Sequence, residues 1–474
     1  MTKSTFGRFA RWAIAAALAV AALAAAPAPV QAHGLNVGFA DDSFFLASPS
    51  TRSFLFDQLV ADRAQILRID VRWRNVTNPR RAPAHPTDPA DPNYYWSRTD
   101  AVVNAAAARH IPILMTVLDA PDWAEGKNRP SGSAVPPGAW KPNASALGKF
   151  AQALAKRYSG HYHGLPRVRY FEVWNEPNIT KFLAPQWQGK RAVSPGLYRR
   201  MLNNFYAGVK RVQPGAKVIG GAMSPFGDSR RHPLDPARPR LRPLVFLRKL
   251  LCLKHNLKPS KCPNKPRLDI LSQHPLNFNK PPSYHPHNRN DVQVATFSSV
   301  RRVLRAAERA KHVRPHGHHP LWATEYSWYT PPNPTGVSPM TQAKWVEQGF
   351  YLLWKQGASA VINYPFRDDP RIEPISRWAT SGALYHDGSR KPSFQSFRFP
   401  FVAHHHSKAK VGVWGKAPLG GRLQIQRKRN GHWQTKATVK VHPGQIFTRS
   451  LRLRGHPQLR GKVGGLTSLP WSPH

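Results

Sequence analysis

The chain has 474 residues and a formal net charge of +46, from 70 Lys and Arg against 24 Asp and Glu. This length accommodates one large domain and a small one. The charge favours association with polyanions, but the basic residues are spread along the chain without an aromatic-interleaved motif, which argues against a specific nucleic-acid binder. Two interpretations stay open: a solvated basic surface, or association with an anionic glycan or cell wall.

The N-terminus has the pattern of a secretory signal peptide. Lys3, Arg8 and Arg11 precede an apolar stretch at 12–26, and a small-residue cleavage motif ends at Ala32. The alternative is an uncleaved N-terminal anchor. No later apolar run is long enough to span a bilayer. We therefore expect an exported, extracellular protein that is free of the membrane after cleavage; the sequence does not indicate its oligomeric state.

The next part of the chain alternates strand-like apolar runs with helical patterns, which predicts a parallel α/β fold. Strands are predicted at 34–40, 65–73, 111–118, 168–174, 217–222, 268–274, 320–326 and 358–364. Helices are predicted at 53–64, 145–158, 194–212, 292–311 and 341–356, with Ser194 as a cap, and a further helix runs through Arg109. Eight strands with helical partners over residues 33–400 predict a (β/α)8 TIM barrel.

The pattern changes after Pro400. The tract His404–His406 and the basic residues at 408–410 suggest a linker. Short alternating runs follow, separated by turn signals such as Asn430-Gly431. Residues 401–474 are therefore predicted to form a linker and a small all-β, sandwich-like domain whose role the sequence does not define.

Two glutamates follow predicted strands of the barrel. The run 168–174 leads directly into Asn175-Glu176-Pro177, and the strand stops there because Pro177 has no backbone N–H. Glu325 lies near the end of another apolar run, 320–326. Barrel enzymes keep their catalytic groups at the C-terminal ends of strands. Two carboxyl groups in this setting predict a retaining glycosidase, in which one donates a proton and the other attacks the sugar.

With these motifs the chain resembles glycoside hydrolase clan A, the retaining (β/α)8 glycosidases, and is most similar to families 39 and 5 over about residues 34–400. The match rests on Asn175-Glu176-Pro177 after strand four and on Glu325 at the end of strand seven. The resemblance implies that Glu176 is the acid/base, that Glu325 is the nucleophile and that Asn175 binds the sugar 2-hydroxyl. It also implies an oligo- or polysaccharide substrate and no cofactor.

Two further residues match clan positions. Arg68 on strand two corresponds to an Arg that supports the ionised nucleophile, and the alternative is simple pairing with Asp70 or Glu172. His274 on strand six corresponds to a His that lines the site, and the alternative is a hydrogen-bonded core histidine.

The chain departs from the clan pattern at two places. Clan members often have His-x-Tyr after strand six and a Trp at the end of strand eight. Here the sequences are His274-Pro275-Leu276 and Asn363-Tyr364-Pro365-Phe366. Candidates for the missing aromatic roles are Tyr326, Tyr364 and Trp328. Candidates for stacking on sugar rings, each with core packing as its alternative, are Trp73, Trp123, Trp174 and Trp328.

Each of the remaining polar candidates has a structural role as its alternative. Four aspartates, for which sugar binding and a surface or capping role are equally expected, are Asp41, Asp42, Asp119 and Asp122. A disulfide between Cys252 and Cys262 is expected in an exported protein, with free thiols as the alternative. The tracts 316–319 and 404–406 are His-rich, but neither has a carboxylate or Cys at ligand spacing, so no metal site is expected.

The function predicted from the sequence is a secreted retaining glycoside hydrolase. An alternative is a non-catalytic glycan- or wall-binding protein on a decayed glycosidase barrel. A third hypothesis, a polyanion-binding protein, rests on charge alone.

Overall fold

The computed structural model describes residues 34–130, 135–228, 240–370 and 379–473. The predicted signal peptide lies outside these residues. Residues Gly34–His474 form one compact unit. No helix in the described ranges combines the length and the apolar character needed to cross a bilayer.

Eight parallel strands close into a barrel in which each strand pairs with its neighbours in the sequence, and β8 pairs with β1. These strands are β1 Asn36–Ala40, β2 Leu67–Arg72, β3 Ile113–Leu118, β4 Tyr170–Val173, β5 Lys217–Met223, β6 Ile270–Gln273, β7 Leu321–Tyr326 and β8 Ala358–Asn363. The predicted TIM barrel is confirmed.

Helices follow every strand. They are α1 Ser43–Leu46, α2 Pro49–Ala61, α3 Trp73–Val76, α4 Ser97–Ala107, α5 Ala144–Arg157, α6 Ser194–Val212, α7 Pro243–Leu250, α8 Ser298–Arg309, α9 Pro339–Lys355 and α10 Pro392–Arg398. Short 3-10 turns lie at Asp122–Ala124 and Val294–Thr296. Ser194 is the first residue of α6 rather than its cap, because its hydroxyl donates to Gln186 (2.8 Å) instead of accepting from the helix.

The barrel interior changes from apolar to polar along the strands. An apolar layer includes Leu114, Ile219, Ile270 and Trp322, and Tyr170 packs against it. Side chains two residues apart on a strand point to the same face. Arg68, Thr116 and Glu172 therefore follow Ile66, Leu114 and Tyr170 on the inner face, one step closer to the C-terminal ends of the strands, and they are buried.

Two register shifts lie near the C-terminal ends of barrel strands. Between β7 and β8, Val361 pairs with Ala323 but Asn363 pairs with Tyr326, so β7 carries one extra residue at the position of Glu325. A similar shift in β5 lies between Gly220 and Met223. Such bulges re-aim individual side chains, and here Glu325 points inward although Tyr326 packs outward against Phe350.

The C-terminal region consists of two antiparallel sheets. Its strands are β9 Phe401–Ser407, β10 Lys410–Lys416, β11 Gly421–Arg429, β12 His432–Val441, β13 Ile446–Arg452, β14 Leu459–Val463 and β15 Leu466–Thr467. One sheet has the order β9-β10-β13 and the other β12-β11-β14-β15. The predicted small all-β domain is confirmed as a fold.

The linker expected at 404–410 is wrong. His404 lies in β9 and pairs with Gly412 of β10, and its ring stacks on Tyr351 of helix α9 at 4.8 Å. Trp414 of β10 packs against Tyr351 and Trp354 as well. The polar His tract is therefore a strand held against the barrel by its alternate side chains, so no independent spacer separates the two parts.

Candidate active site

The segment after β4 presents Glu176 in an unusual backbone conformation. Trp174 has φ 68° and Glu176 has φ 36°, in the left-handed region that non-glycine residues rarely adopt. The Glu176 N–H donates to the carbonyl of Ala222 (2.9 Å), which lies in the register shift of β5. Pro177 prevents further strand pairing. This neighbouring strand thus fixes the turn that carries Glu176.

Three titratable groups meet at the centre of the barrel mouth. Carboxylate oxygens of Glu176 and Glu325 and a ring nitrogen of His274 all lie within 4.8 Å of one another. The His274 Nδ1 atom is 3.3 Å from Glu176 Oε1 and 3.6 Å from Glu325 Oε2. Both glutamate side chains are 13% exposed, whereas the His274 side chain is fully buried. The two carboxylates therefore line the accessible end of an otherwise buried cluster.

Arg68 links the strand ends through its guanidinium group. Its Nη1 donates to Glu325 Oε1 at 2.7 Å, and its Nε donates to Glu172 Oε2 at 2.9 Å. Its Nη2 donates to Asn175 Oδ1 at 2.9 Å and lies 3.3 Å from Asp70 Oδ1. Arg68 therefore pairs with Asp70 and Glu172 and contacts Glu325 at the same time.

The electrostatics of this cluster favour positive charge on its two basic groups. Burial by itself opposes the charge of Arg68, but Asp70, Glu325 and Glu172 outweigh burial and raise its pKa. Burial also favours neutral His274, yet the charge of Glu325 and the hydrogen bond with Glu176 raise the pKa of the ring above its ordinary value. The carboxylates around Arg68 and His274 therefore outweigh the effect of burial on the pKa of both groups.

Two tyrosines lie near the glutamates. Burial, together with the charges of Glu325 and Glu176, raises the pKa of Tyr329 to about 12. Burial and the charges of Asp369 and Glu325 raise the pKa of Tyr364 well above its ordinary range. Both therefore remain neutral phenols near pH 7. Tyr364 was among the predicted residues; Tyr329 was not, and the only signal for it was the aromatic run after Glu325.

The expected stacking roles of three tryptophans are wrong. Trp73, Trp174 and Trp328 are fully buried and present no free ring face. The indole N–H of Trp174 donates to the Phe182 carbonyl (2.6 Å), and that of Trp328 donates to the Lys280 carbonyl (2.8 Å). They fill the space beneath the loops.

Trp123 is only partly buried, and it contacts Trp73 edge-on. Its indole N–H donates to the Asn78 carbonyl at 3.0 Å. It therefore remains a candidate for stacking on a sugar ring.

The flanking aspartates have local partners. Asp41 accepts from the backbone N–H groups of Ser43, Phe366 and Arg367, and Asp42 accepts from the N–H of Asp70 (2.8 Å). Asp119, directly after β3, pairs with Arg72 at the end of β2, and Asp122 pairs with Arg74. These local contacts correspond to the surface and capping alternatives.

Two further features concern metals and cysteines. Glu176, His274 and Glu325 form a donor set that a metal ion could use, but the guanidinium 2.7 Å from Glu325 places a permanent positive charge against a cation. Cys252 and Cys262 form a disulfide, with Cα atoms 5.5 Å apart, on the segment after α7.

These features define a class: a (β/α)8 barrel with a glutamate at the ends of strands four and seven and a buried arginine between them. No protein-family model and no curated protein sequence matches the chain. Solved structures do resemble it.

One such structure is a family 39 glycoside hydrolase from Bacteroides cellulosilyticus, with 17% identity and a TM-score of 0.52 over 90% of this chain and 82% of that one. A glucosidase from Croceicoccus marinus has 15% identity and a TM-score of 0.52, over 90% and 94% of the two chains. A monomeric beta-xylosidase from Caulobacter crescentus has 15% identity and a TM-score of 0.51, over 89% and 96%. The fold is therefore the barrel expected from the clan A resemblance.

Proposed function

We propose that the protein is an exported retaining glycoside hydrolase that cleaves O-glycosidic bonds with Glu176 and Glu325. The observation that carries this proposal is the separation of the two carboxylates, whose nearest oxygens lie within 4.8 Å. Retaining glycosidases hold their carboxyl groups about 5–5.5 Å apart, whereas inverting ones leave about 6.5–9.5 Å for a water molecule. The short gap favours direct attack on the sugar.

The surroundings of the two glutamates support different roles for them. Glu325 accepts a hydrogen bond from the buried, permanently charged Arg68 (2.7 Å), which orients its carboxylate for the role of nucleophile. Glu176 has no contact of this kind with a guanidinium group among the described residues, and its partner is His274. Glu176 is therefore assigned as the group that carries the proton.

The reaction then proceeds in two displacements. Glu325 attacks the anomeric carbon while Glu176 gives its proton to the departing oxygen, so the glycosidic bond breaks as the glycosyl ester forms. Glu176, now ionised, removes a proton from water, and the resulting hydroxide displaces Glu325 from the sugar. The product keeps its anomeric configuration, and both glutamates return to their starting states.

Asn175 and Tyr364 are the candidates for holding the sugar. The Asn175 Oδ1 atom accepts from Arg68 Nη2, so we assign its side-chain amide N–H groups as the donors to a sugar hydroxyl. Tyr364 and Tyr329 replace the absent Tyr and Trp of the clan pattern as phenols near Glu325. A decayed barrel would have no need for this arrangement, which favours catalysis over glycan binding alone.

The substrate class, the location of the protein and the role of its basic surface rest on other observations. The similar structures include a glucosidase and a beta-xylosidase, so glucosides and xylosides come first as substrates. Export rests on the signal-peptide pattern, and the charge of +46 supports association with an anionic glycan or wall. Association with a polyanion that is salt-sensitive and unchanged in a Glu176→Gln, Glu325→Gln double variant would identify that as a separate property.

The test is intact-protein mass spectrometry after incubation with activated 2-deoxy-2-fluoro glycosides of glucose, xylose, galactose, mannose, arabinose and glucuronic acid. We expect a mass gain of one fluorosugar on the wild type, located to the peptide that contains Glu325. Glu325→Gln should give no adduct. Glu308→Gln, the same change outside the site, should label like the wild type.

Two results would contradict the proposal in different ways. An adduct on another residue would overturn the assignment of Glu325. No adduct with any glycone, from folded protein that still binds a glycan, would favour the non-catalytic binder.

A further inference from the structure

The His404–His406 tract lies on strand β9 and brings two imidazoles together. Residues two apart on a strand share a face, so His404 and His406 project to one side while His405 projects to the other, towards His456. The Nε2 atoms of His404 and His406 are 2.9 Å apart. The two rings lie 4.7 Å apart and are nearly stacked.

The pair faces a cavity between the C-terminal sheet and helix α9. This cavity has a volume of about 370 Å³ and is lined by Tyr351, Trp354, Trp414 and Arg449 besides the two histidines. The Tyr351 hydroxyl lies 3.2 Å from His404 Nε2. The same nitrogen of His404 therefore faces both a second imidazole and a phenol oxygen, three donor groups converging on one point.

Gly412 on the adjacent strand makes this convergence possible. A Cβ atom at position 412 would lie 2.1 Å from His406 Nε2 and 2.7 Å from His404 Nε2. The rings therefore occupy the space above a bare backbone. A residue with a side chain at this position would push both nitrogens out of place.

We propose that His404 and His406 form a transition-metal site selective for Cu²⁺ or Ni²⁺, separate from the glycosidase centre. Metal–imidazole bonds are about 2.0–2.1 Å long. Two nitrogens 2.9 Å apart then subtend about 90° at the ion, the angle of neighbouring ligands in square-planar coordination. A tetrahedral ion would need the nitrogens about 3.3–3.4 Å apart, so the geometry disfavours Zn²⁺.

The charges around the site are positive and do not attract a cation, so the choice of metal depends on the strength of the metal–nitrogen bonds. Arg449 lines the cavity, and the ammonium of Lys355 lies 5.8 Å from the Tyr351 ring. Long-range attraction therefore does not hold a cation here, and binding comes from the metal–nitrogen bonds, which are strongest for Cu²⁺.

The test uses the metal-free mature protein, titrated with Cu²⁺ at pH 7 and followed by equilibrium dialysis and electron paramagnetic resonance. His406 is exposed, so His406→Ala leaves the fold intact. Wild type should bind one more equivalent of Cu²⁺ than His406→Ala or His404→Ala, with a two-imidazole nitrogen pattern in the spectrum. His405→Ala, the matched control from the opposite face, should keep that equivalent.

Gly412→Ala provides a second variant that retains both histidines. It should lose the same equivalent, because the new methyl group displaces the ring nitrogens. Binding at other histidines is common to all these proteins and cancels in the comparison. Equal Cu²⁺ stoichiometry in wild type, His406→Ala and His405→Ala would overturn the proposal and leave the pair as a simple imidazole–imidazole hydrogen bond. Loss of the equivalent in His405→Ala alone would overturn it as well.

Discussion

Replacing Arg68 tests whether one buried guanidinium organises the whole strand-end cluster. Its side chain is 2% exposed, and that of its partner Glu172 is fully buried. Arg68→Met removes the charge and leaves Glu172 without its cationic partner and without solvent. Removing one member of a buried ion pair costs about 3–5 kcal/mol of folding free energy. Arg68→Lys keeps the charge but cannot reach all the acceptors from one nitrogen.

We expect the free energy of unfolding to fall from wild type to Arg68→Lys and further to Arg68→Met. Each hydrogen bond to a charged group that the lysine fails to make costs about 1.5–3 kcal/mol. The rate of labelling by the fluorosugar should fall about 10²–10³-fold in Arg68→Lys, because Glu325 loses an oriented donor at 2.7 Å. Urea unfolding measures the loss of folding free energy, and the labelling rate measures the loss of the donor to Glu325.

Arg72 offers a matched control on the same strand. It lies four positions beyond Arg68, is 41% exposed and pairs with Asp119. Pairs at this level of exposure contribute about 0–1 kcal/mol. If Arg68→Met were no less stable than Arg72→Met, the buried cluster would not stabilise the barrel, and the reasoning would be wrong.

Two further predictions concern Glu176 and Glu347. Glu176→Gln should still be labelled by glycosides with strongly activated leaving groups, because these need no proton. Azide should restore its turnover by replacing the water that Glu176 activates. Failure of this rescue, measured as glycosyl azide formed, would contradict the acid/base role. Burial raises the pKa of Glu347 to about 8 from an ordinary value of 4.5, so folding favours its protonated form. The folding stability that this group contributes is fully present below about pH 4.5 and is lost as the pH rises through 8. The loss should be on the order of 5 kcal/mol. Glu347→Gln should flatten this dependence in urea unfolding between pH 5 and 9, and an unchanged slope would refute the explanation.

The barrel could be predicted because its strands are buried on both faces and appear as short apolar runs between helical patterns. Glu176 could be located because Pro177 marks the end of its strand, whereas Arg68 was identified by the resemblance, through its match to a clan position on strand two. The strand β9 was missed for the opposite reason. His404 and His406 are polar, and the pairing of β9 with β10 shows that they belong to a sheet.

Side-chain direction at the strand ends could not be predicted. The burial of Trp174 depends on its backbone φ of 68°, and Glu325 faces inward because of a register shift between β7 and β8. Neither feature leaves a mark in the sequence pattern, since both depend on how a neighbouring strand pairs. This is why Trp174 was expected to face a sugar and proved to be fully buried.

The charges of the cluster connect the two halves of the proposed reaction. Arg68 is shared by Asp70, Glu172 and Glu325, and His274 lies within 3.6 Å of both catalytic candidates. When Glu325 becomes an ester, one negative charge disappears from this shared set. Glu176 then no longer faces a second carboxylate and can lose its proton to the leaving group. Hydrolysis of the ester restores the charge, which favours return of the proton to Glu176. A single fixed cation can therefore serve both steps, because the charge that changes during the reaction belongs to the glutamates alone.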